Sequence, residues 1–117
     1  MVPKAKRLLL YHLQERQPGW CIRTVDSEKC VYRAIGPYGV EISGGSRQPV
    51  RFHIYVWKKD PTFSVIERHT DLDPRQTDIV SLAAEIADRY VQTAINEGVY
   101  TPPVSPSPTE EEQEIPF

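Results

Sequence analysis

The centre of the chain reads Val50-Arg51-Phe52-His53-Ile54-Tyr55-Val56-Trp57-Lys58-Lys59. Apolar residues recur at every second position, and this period is typical of a β-strand with one buried face. The apolar face, which we expect to lie in the core, comprises Val50, Phe52, Ile54 and Val56. The opposite face mixes basic and aromatic side chains and comprises Arg51, His53, Tyr55, Trp57 and Lys59.

Further runs of strand-forming residues lie on both sides of this stretch. Trp20–Val25 and Cys30–Ile35 flank the polar segment 26–29, a spacing that predicts a hairpin with a four-residue loop. Two more strands are predicted over Val40–Ser43 and Phe63–Thr70, which are bounded by Gly- and Pro-containing turns. We therefore expect a sheet of four to five antiparallel strands.

One long helix is predicted after the strands. Asp73 suits the N-cap, Pro74 suits the first helical position, and Gln76 completes a capping-box spacing. Gly98 suits the C-terminal cap. The apolar residues between them recur at helical spacing, and they are Ile79, Leu82, Ala83, Ile86, Tyr90 and Ala94.

The N-terminal segment is open to two interpretations. Residues 4–16 suit a short helix in which Leu9, Leu10 and Leu13 share a face, but Leu8–Leu13 also suits a first strand. Since strands come first and the long helix follows, the expected fold class is α+β. We predict an antiparallel sheet of four to five strands packed on one long C-terminal helix, followed by a disordered tail.

Chain length and composition predict one small domain with a polar tail. Of the 117 residues, we assign 1–100 to the domain, 101–109 to a Pro/Ser-rich linker and 110–117 to an acidic tip. No apolar run suits a signal peptide or a membrane span. Cys21 and Cys30 do not make a disulfide framework, so we expect a cytoplasmic protein without a membrane partner.

Charge is distributed unevenly along the chain. Residues 1–68 carry twelve Lys or Arg against six Asp or Glu, whereas the whole chain has a net charge of −2. A basic N-terminal part with an acidic tail is expected of a nucleic-acid binder that also recruits a partner. The alternative is that these moderate charges only keep the domain soluble.

The basic and aromatic face of the central stretch predicts binding to single-stranded nucleic acid. Aromatic rings stack on bases, and Lys or Arg side chains neutralise phosphates. A helix that covers one face of the sheet leaves the other face free for this contact. Candidate residues are Arg51, His53, Tyr55, Trp57 and Lys59. Arg23 and Arg33 of the predicted hairpin extend this set, although both strands of the hairpin are apolar on both sides and their facing stays open. The alternative is that Tyr55 and Trp57 pack under the N-terminal segment or in a dimer interface.

The chain does not show a residue pattern that predicts catalysis. His69, Asp71 and Asp73 alternate as metal ligands on one strand face would, but Asp73 is accounted for as an N-cap and Asp71 as a turn residue. Neither the Ser nor the Cys residues lie in a nucleophile elbow, and the Gly-rich turns lack the ending of a phosphate loop. We expect a non-enzymatic protein with no catalytic residues, no cofactor and no metal. A small enzyme or nuclease accessory that uses His69 is the alternative.

The last eight residues carry the most specific signal in the chain. An acidic run, Glu110-Glu111-Glu112-Gln113-Glu114, is followed by Ile115-Pro116-Phe117. This ending resembles the C-terminal tip of bacterial single-stranded-DNA-binding proteins, an acidic run closed by Ile-Pro-Phe that recruits replication and repair enzymes. The resemblance implies that Phe117 and its carboxylate anchor in a pocket of a partner, with Pro116 and Ile115 beside them. It also implies an electrostatic contact from Glu110, Glu111, Glu112 and Glu114.

The resemblance covers the tail and not the domain. The family's usual opening, a strand leading into Asn/Gly-x-Leu-x-x-Asp-Pro, is absent, and strands followed by a helix do not suit its usual barrel. This order is similar to that of transcriptional-coactivator and Whirly-type single-strand binders, which implies a homo-oligomer. We predict a single-stranded-DNA-binding protein of replication, recombination or repair that recruits partner enzymes through its tail. The alternative is an adaptor or inhibitor of phage or plasmid type that mimics the tail to capture host replication proteins without binding DNA.

Overall fold

The computed structural model describes residues 2–59 and 61–102, which form an antiparallel five-stranded sheet and two α-helices. Chain order and spatial order agree across the sheet, which runs β1 Cys21–Val25, β2 Glu28–Ile35, β3 Tyr38–Gly44, β4 Phe52–Lys58 and β5 Ser64–Leu72. The helices are α1 Lys4–Arg16 and α2 Ile79–Asn96. The predicted α+β class and the antiparallel sheet are confirmed. The predicted tip and residues 103–109 of the linker lie outside the described residues.

The sheet packs on two helices and not on one as predicted. Residues 4–16 form a helix, which decides between the two interpretations of this segment, and Leu9 and Leu13 of this helix are buried. α2 contributes Ile79, Ile86 and a set of small alanines to the same core as the buried side chains of β2, β3 and β4. Both helices therefore cover one face of the sheet. Within the described ranges, no helix is long and apolar enough to cross a membrane.

The start of α2 differs from the prediction. Asp78 is the N-cap, and its carboxylate accepts a hydrogen bond from the backbone N–H of Ser81 at 3.1 Å. Asp73 instead accepts from the backbone N–H of Arg75 at 2.9 Å, within a turn that precedes the helix. Both aspartates are suitable caps, but only Asp78 directly precedes the buried Ile79. The predicted cap at Asp73 was therefore wrong, and α2 is shorter than predicted.

The end of α2 agrees with the prediction. Gly98 has a φ of +73°, a conformation that a residue with a side chain adopts at a cost. Its N–H donates to the carbonyl of Ile95, and the N–H of Val99 donates to the carbonyl of Ala94, each at 3.0 Å. These two bonds are the Schellman arrangement that closes a helix.

The first hairpin has a shorter loop than predicted. Val25 pairs with Glu28, so Asp26 and Ser27 alone form the turn, and their φ values are +50° and +69°. Two consecutive residues with positive φ match the twist of a two-residue hairpin, which explains the tight loop. This turn determines which residues of β1 and β2 face each other.

A single amide connects the two helices to the sheet. Oε1 of Gln17 accepts from Nε1 of Trp20 at 2.9 Å and from Nη1 of Arg33 at 3.1 Å. Its Nε2 donates to the carbonyl of Ala84 at 3.0 Å and to Oδ1 of Asp88 at 2.8 Å. All the strong hydrogen-bonding positions of this side chain are therefore in use.

Candidate nucleic-acid interface

The sheet face opposite the helices carries most of the residues predicted to bind nucleic acid. Tyr55 pairs with Glu41 on β3 and with Arg68 on β5, and Trp57 pairs with Gly39. Side chains of paired residues lie on the same face of a sheet. Since the alternate residues of β4 are buried against the helices, these side chains lie on the face that the two helices leave uncovered. We call it the open face.

A row of aromatic rings follows β4 along the open face. His53, Tyr55 and Trp57 are all partly exposed. The ring centroids of His53 and Tyr55 are 6.4 Å apart, and their planes differ by 22°. The ring of Trp57 lies 5.1 Å from that of Phe63, which is 54% exposed. Rings that are held in place but still accessible are suited to stacking with bases.

Arginine side chains lie on both edge strands of the open face. Arg23 of β1 is exposed, and its guanidinium carbon lies 4.6 Å from the centroid of the Tyr32 ring. Arg68 of β5 is exposed beside Tyr55. Arg68 was not among the residues predicted from the sequence, although alternation from Glu67, which contacts α2, places it on this face.

Arg51 and Lys59, the other predicted cations of this face, differ in exposure and in how far nearby carboxylates offset their charge. Nε of Arg51 lies 3.7 Å from Oδ1 of Asp71, and its Nη1 lies 3.8 Å from Oδ2 of Asp73. These pairs reduce the positive charge that Arg51 offers to a phosphate. Lys59 is exposed one residue beyond the end of β4.

Arg33 does not belong to the open face, so its inclusion was wrong. It pairs with Val40, is 5% exposed and donates to Gln17 on the helix-covered side. Arg23 pairs with Cys30 across the hairpin. Because Cys30 and Arg33 are an odd number of positions apart in one strand, Arg23 and Arg33 face opposite sides.

A buried carboxylate lies in the middle of the open face. Glu41 is 5% exposed, and its Oε1 accepts a hydrogen bond from Nε1 of Trp57 at 2.8 Å. Burial raises the pKa of the Glu41 carboxyl above its ordinary value; the hydrogen bond from Trp57 opposes this shift, whereas the nearby carboxylates of Glu28 and Asp26 add to it. Glu41 was not predicted as part of this face, because the sequence alone did not reveal the facing of the strand predicted over Val40–Ser43.

A cavity of about 260 Å³ opens beside this carboxylate. Its walls include Arg23, Tyr32, Glu41, Trp57 and Phe63. The Tyr32 ring lies across Gly39, where an added Cβ would overlap the Tyr32 hydroxyl. That hydroxyl is buried and has no hydrogen-bond partner among the described residues. The absence of a side chain at position 39 therefore allows Tyr32 to form a wall of the cavity.

The candidate metal ligands of the sequence do not converge. His69 lies on the helix-covered side, where its Nε2 is 2.7 Å from Oε2 of Glu67. Asp71 and Asp73 lie beside Arg51 instead. Within residues 2–59 and 61–102, no group of three or more His, Cys, Asp or Glu side chains is placed to hold a metal ion.

Glu67 is the centre of a network between β5 and α2. Arg89 donates to both of its oxygens, at 3.0 and 2.8 Å, and the Tyr90 hydroxyl donates at 2.8 Å. The hydrogen bonds from Arg89, supported by those from His69 and Tyr90, lower the pKa of Glu67 to about 2. Because these groups hold α2 against the sheet, we assign them a role in the stability of the fold and not in ligand binding.

A larger cavity of about 800 Å³ lies away from the aromatic row. It is bounded by α1, by the loop before β4 and by the turn before α2, and its apolar lining includes Leu8, Leu9, Val50 and Ile79. Arg51 is the only member of the predicted nucleic-acid face that lines it. Its size alone does not indicate a ligand.

Comparison with known proteins identifies no relative: no protein-family model, no curated protein and no solved structure matches this chain. The resemblance of residues 110–117 to the bacterial tip therefore stays a prediction from the sequence. The open face is the independent structural observation that bears on function.

Proposed function

We propose that this protein binds single-stranded DNA on the open face of its sheet and recruits partner proteins through its acidic tip. The observation that carries the proposal is the row of accessible rings His53, Tyr55 and Trp57 on β4. Arg23 and Arg68 on the two edge strands flank this row. The role is non-enzymatic and belongs to replication, recombination or repair.

The arrangement suits a strand of DNA that crosses the sheet. Each base that stacks on an aromatic side chain contributes roughly 1–3 kcal/mol, and every base offers a face for stacking. Arg23 and Arg68 are four inter-strand spacings apart, roughly 19 Å before curvature is considered. A short segment of backbone therefore contacts cations at both edges while its bases reach the rings between them.

The tail has a separate role in this proposal. The tip presents Ile115, Pro116 and Phe117 to replication or repair proteins, and its glutamates lie along a basic surface of that partner. In this proposal the DNA contact and the partner contact are made by separate parts of the chain. We propose a cytoplasmic homo-oligomer, because a binding site this short gains affinity from repetition along one strand.

Fluorescence anisotropy with labelled oligo-dT tests the DNA-binding part. Binding that weakens steeply with salt is expected, since phosphate contacts release counterions. Tyr55→Ala is expected to weaken binding about tenfold or more through the loss of stacking. The matched control is Tyr11→Ala, because Tyr11 is 56% exposed on α1, on the opposite side of the sheet. The absence of binding at low salt overturns the proposal.

The adaptor is the second candidate, and one observation favours it. A carboxylate, Glu41, lies within the open face and opposes phosphate binding. A pull-down with and without Phe117 separates the two parts. Recovery that depends on Phe117 while oligo-dT is not bound supports the adaptor, whereas equal recovery removes the role of the tip.

A further inference from the structure

We infer that the cavity beside Trp57 binds a single guanine base and that the carboxylate of Glu41 recognises it. This inference rests on the proposed binding of single-stranded DNA and names the base preference of one position on the open face. Contacts, charge and chemistry of five side chains carry it: Arg23, Tyr32, Glu41, Trp57 and Phe63.

The dimensions of the cavity suit one planar group. Its volume of about 260 Å³ is below the range of about 300–1,000 Å³ found for sites that hold drug-sized molecules. Trp57 and Phe63 form an aromatic wall with their centroids 5.1 Å apart, and the Tyr32 ring lies among the other walls. A base that enters this space has its faces against the aromatic rings and its edge toward the carboxylate of Glu41.

The carboxylate of Glu41 is held in a defined position beside this cavity. Oε1 of Glu41 is fixed by the 2.8 Å hydrogen bond from Nε1 of Trp57. No hydrogen bond among the described residues uses Oε2. A carboxylate accepts up to about four hydrogen bonds, so Glu41 has capacity for a ligand beyond the bond from Trp57.

Guanine is the base whose edge matches a carboxylate. Its N1–H and its N2 amino group are adjacent donors, and they point in the same direction toward two carboxylate oxygens. Adenine and cytosine each place an unprotonated ring nitrogen beside their amino group, and thymine places a carbonyl on each side of its N3–H. Such acceptors face the carboxylate without a hydrogen bond, which is unfavourable in a buried site.

The lining of the cavity carries charges of both signs. Aromatic rings with a carboxylate also bind ammonium groups, and Asp26 adds a second carboxylate to this lining. The guanidinium of Arg23 lies over the Tyr32 ring and lines the same cavity. Arg23 attracts the phosphate of a nucleotide, a contact that a free ammonium group does not make.

Competition anisotropy with a set of oligo-dT strands tests the inference. Each strand carries one central dG, dA, dC or inosine in place of dT. The dG strand is expected to bind about tenfold or more tightly than the others, the discrimination typical of a two-point base contact. Inosine keeps N1–H but lacks the amino group, so its affinity is expected between those of dG and dA.

Glu41→Gln tests the assigned residue. Its amide oxygen still accepts from Trp57, but one carboxylate acceptor becomes a donor, so we expect the preference for dG over dT to disappear. Glu85→Gln is the charge-matched control, because Glu85 is exposed on α2. A dG preference that survives in Glu41→Gln overturns the assignment.

The outcomes separate this inference from the proposed function. If the wild-type protein binds none of the strands, the proposed function fails and the inference fails with it. If it binds all strands equally, the inference alone fails. The inosine comparison uses only the wild-type protein, so it still tests the two-donor contact to the guanine edge if Glu41→Gln does not fold.

Discussion

Nε1 of Trp57 donates a hydrogen bond of 2.8 Å to Oε1 of Glu41 across the β3–β4 pair. The bond gives the buried carboxylate a partner and holds the indole on the open face. One contact therefore connects the stability of the sheet to the group that we propose for base recognition.

Trp57→Phe removes this donor and keeps an aromatic ring. We expect the free energy of unfolding to fall by about 1–3 kcal/mol, because a buried carboxylate is left without its hydrogen bond. Tyr55→Phe is the control, since no hydrogen bond of the Tyr55 hydroxyl is found among the described residues, and it is expected to stay within about 0.5 kcal/mol. Urea unfolding measures both, and equal losses contradict the role assigned to the bond.

Gln17→Ala removes the amide that connects α1, α2 and β2. A loss of about 2–4 kcal/mol is expected, because Trp20 Nε1 and Arg33 lose their acceptor in a mostly buried position. Gln92→Ala is the matched control: Gln92 is exposed on α2 and bonds only to Asn96 among the described residues. If both variants unfold at the same urea concentration, the central role of Gln17 is wrong.

Tyr32→Phe is expected to leave stability unchanged or to raise it by up to about 1 kcal/mol. The Tyr32 hydroxyl is buried without a partner among the described residues, so its removal abolishes a desolvation cost. Tyr38→Phe is the comparison, since the Tyr38 hydroxyl donates to Glu97 at 2.7 Å. Thermal unfolding should show Tyr38→Phe as the less stable variant, by about 0.5–1.5 kcal/mol. The reverse order contradicts the description of the Tyr32 site.

The pKa of Glu67 predicts acid sensitivity. Folding lowers it from 4.5 to about 2, mainly through hydrogen bonds from Arg89. The stabilisation is therefore complete above pH 4.5 and is lost as the pH falls toward 2. Its size is about 1–3 kcal/mol, less than the full shift implies, because the Arg89 side chain is 55% exposed and screened by water.

Glu67→Gln should flatten the acid limb of the stability profile. Unfolding free energies between pH 2 and 6 are the measurement, and Glu85→Gln on the exposed face of α2 is the control. An unchanged slope in Glu67→Gln means that other carboxylates control acid unfolding.

Arg68→Ala tests the contribution of β5 to DNA binding. If Arg68 contacts one phosphate, the slope of log affinity against log salt concentration should become shallower by about 0.7. Arg7→Ala is the control, because Arg7 is exposed on α1 behind the sheet. An equal change in the two variants indicates that net charge and not position is responsible.

Local patterns predicted the elements that depend on neighbouring residues. The alternation in 50–59 placed Phe52, Ile54 and Val56 in the core because successive residues of a strand must face opposite sides. Gly98 was predicted to close α2 because few other residues adopt a positive φ readily. Asp73 failed as a cap because Asp78 offers the same chemistry next to the buried part of the helix.

The two faces of β4 and the residue types on them were determined by the sequence itself, whereas the order of the strands in the sheet came from the tertiary structure. The tertiary structure decided that Arg33 is buried, that Arg68 joins the open face and that Glu41 lies beside Trp57. The physical reason is that the facing and neighbours of a side chain across strands depend on the register of each hairpin. When a loop is one residue longer or shorter, the register shifts and all side chains of the next strand move to the other face. The local spacing of residues does not reveal such a shift.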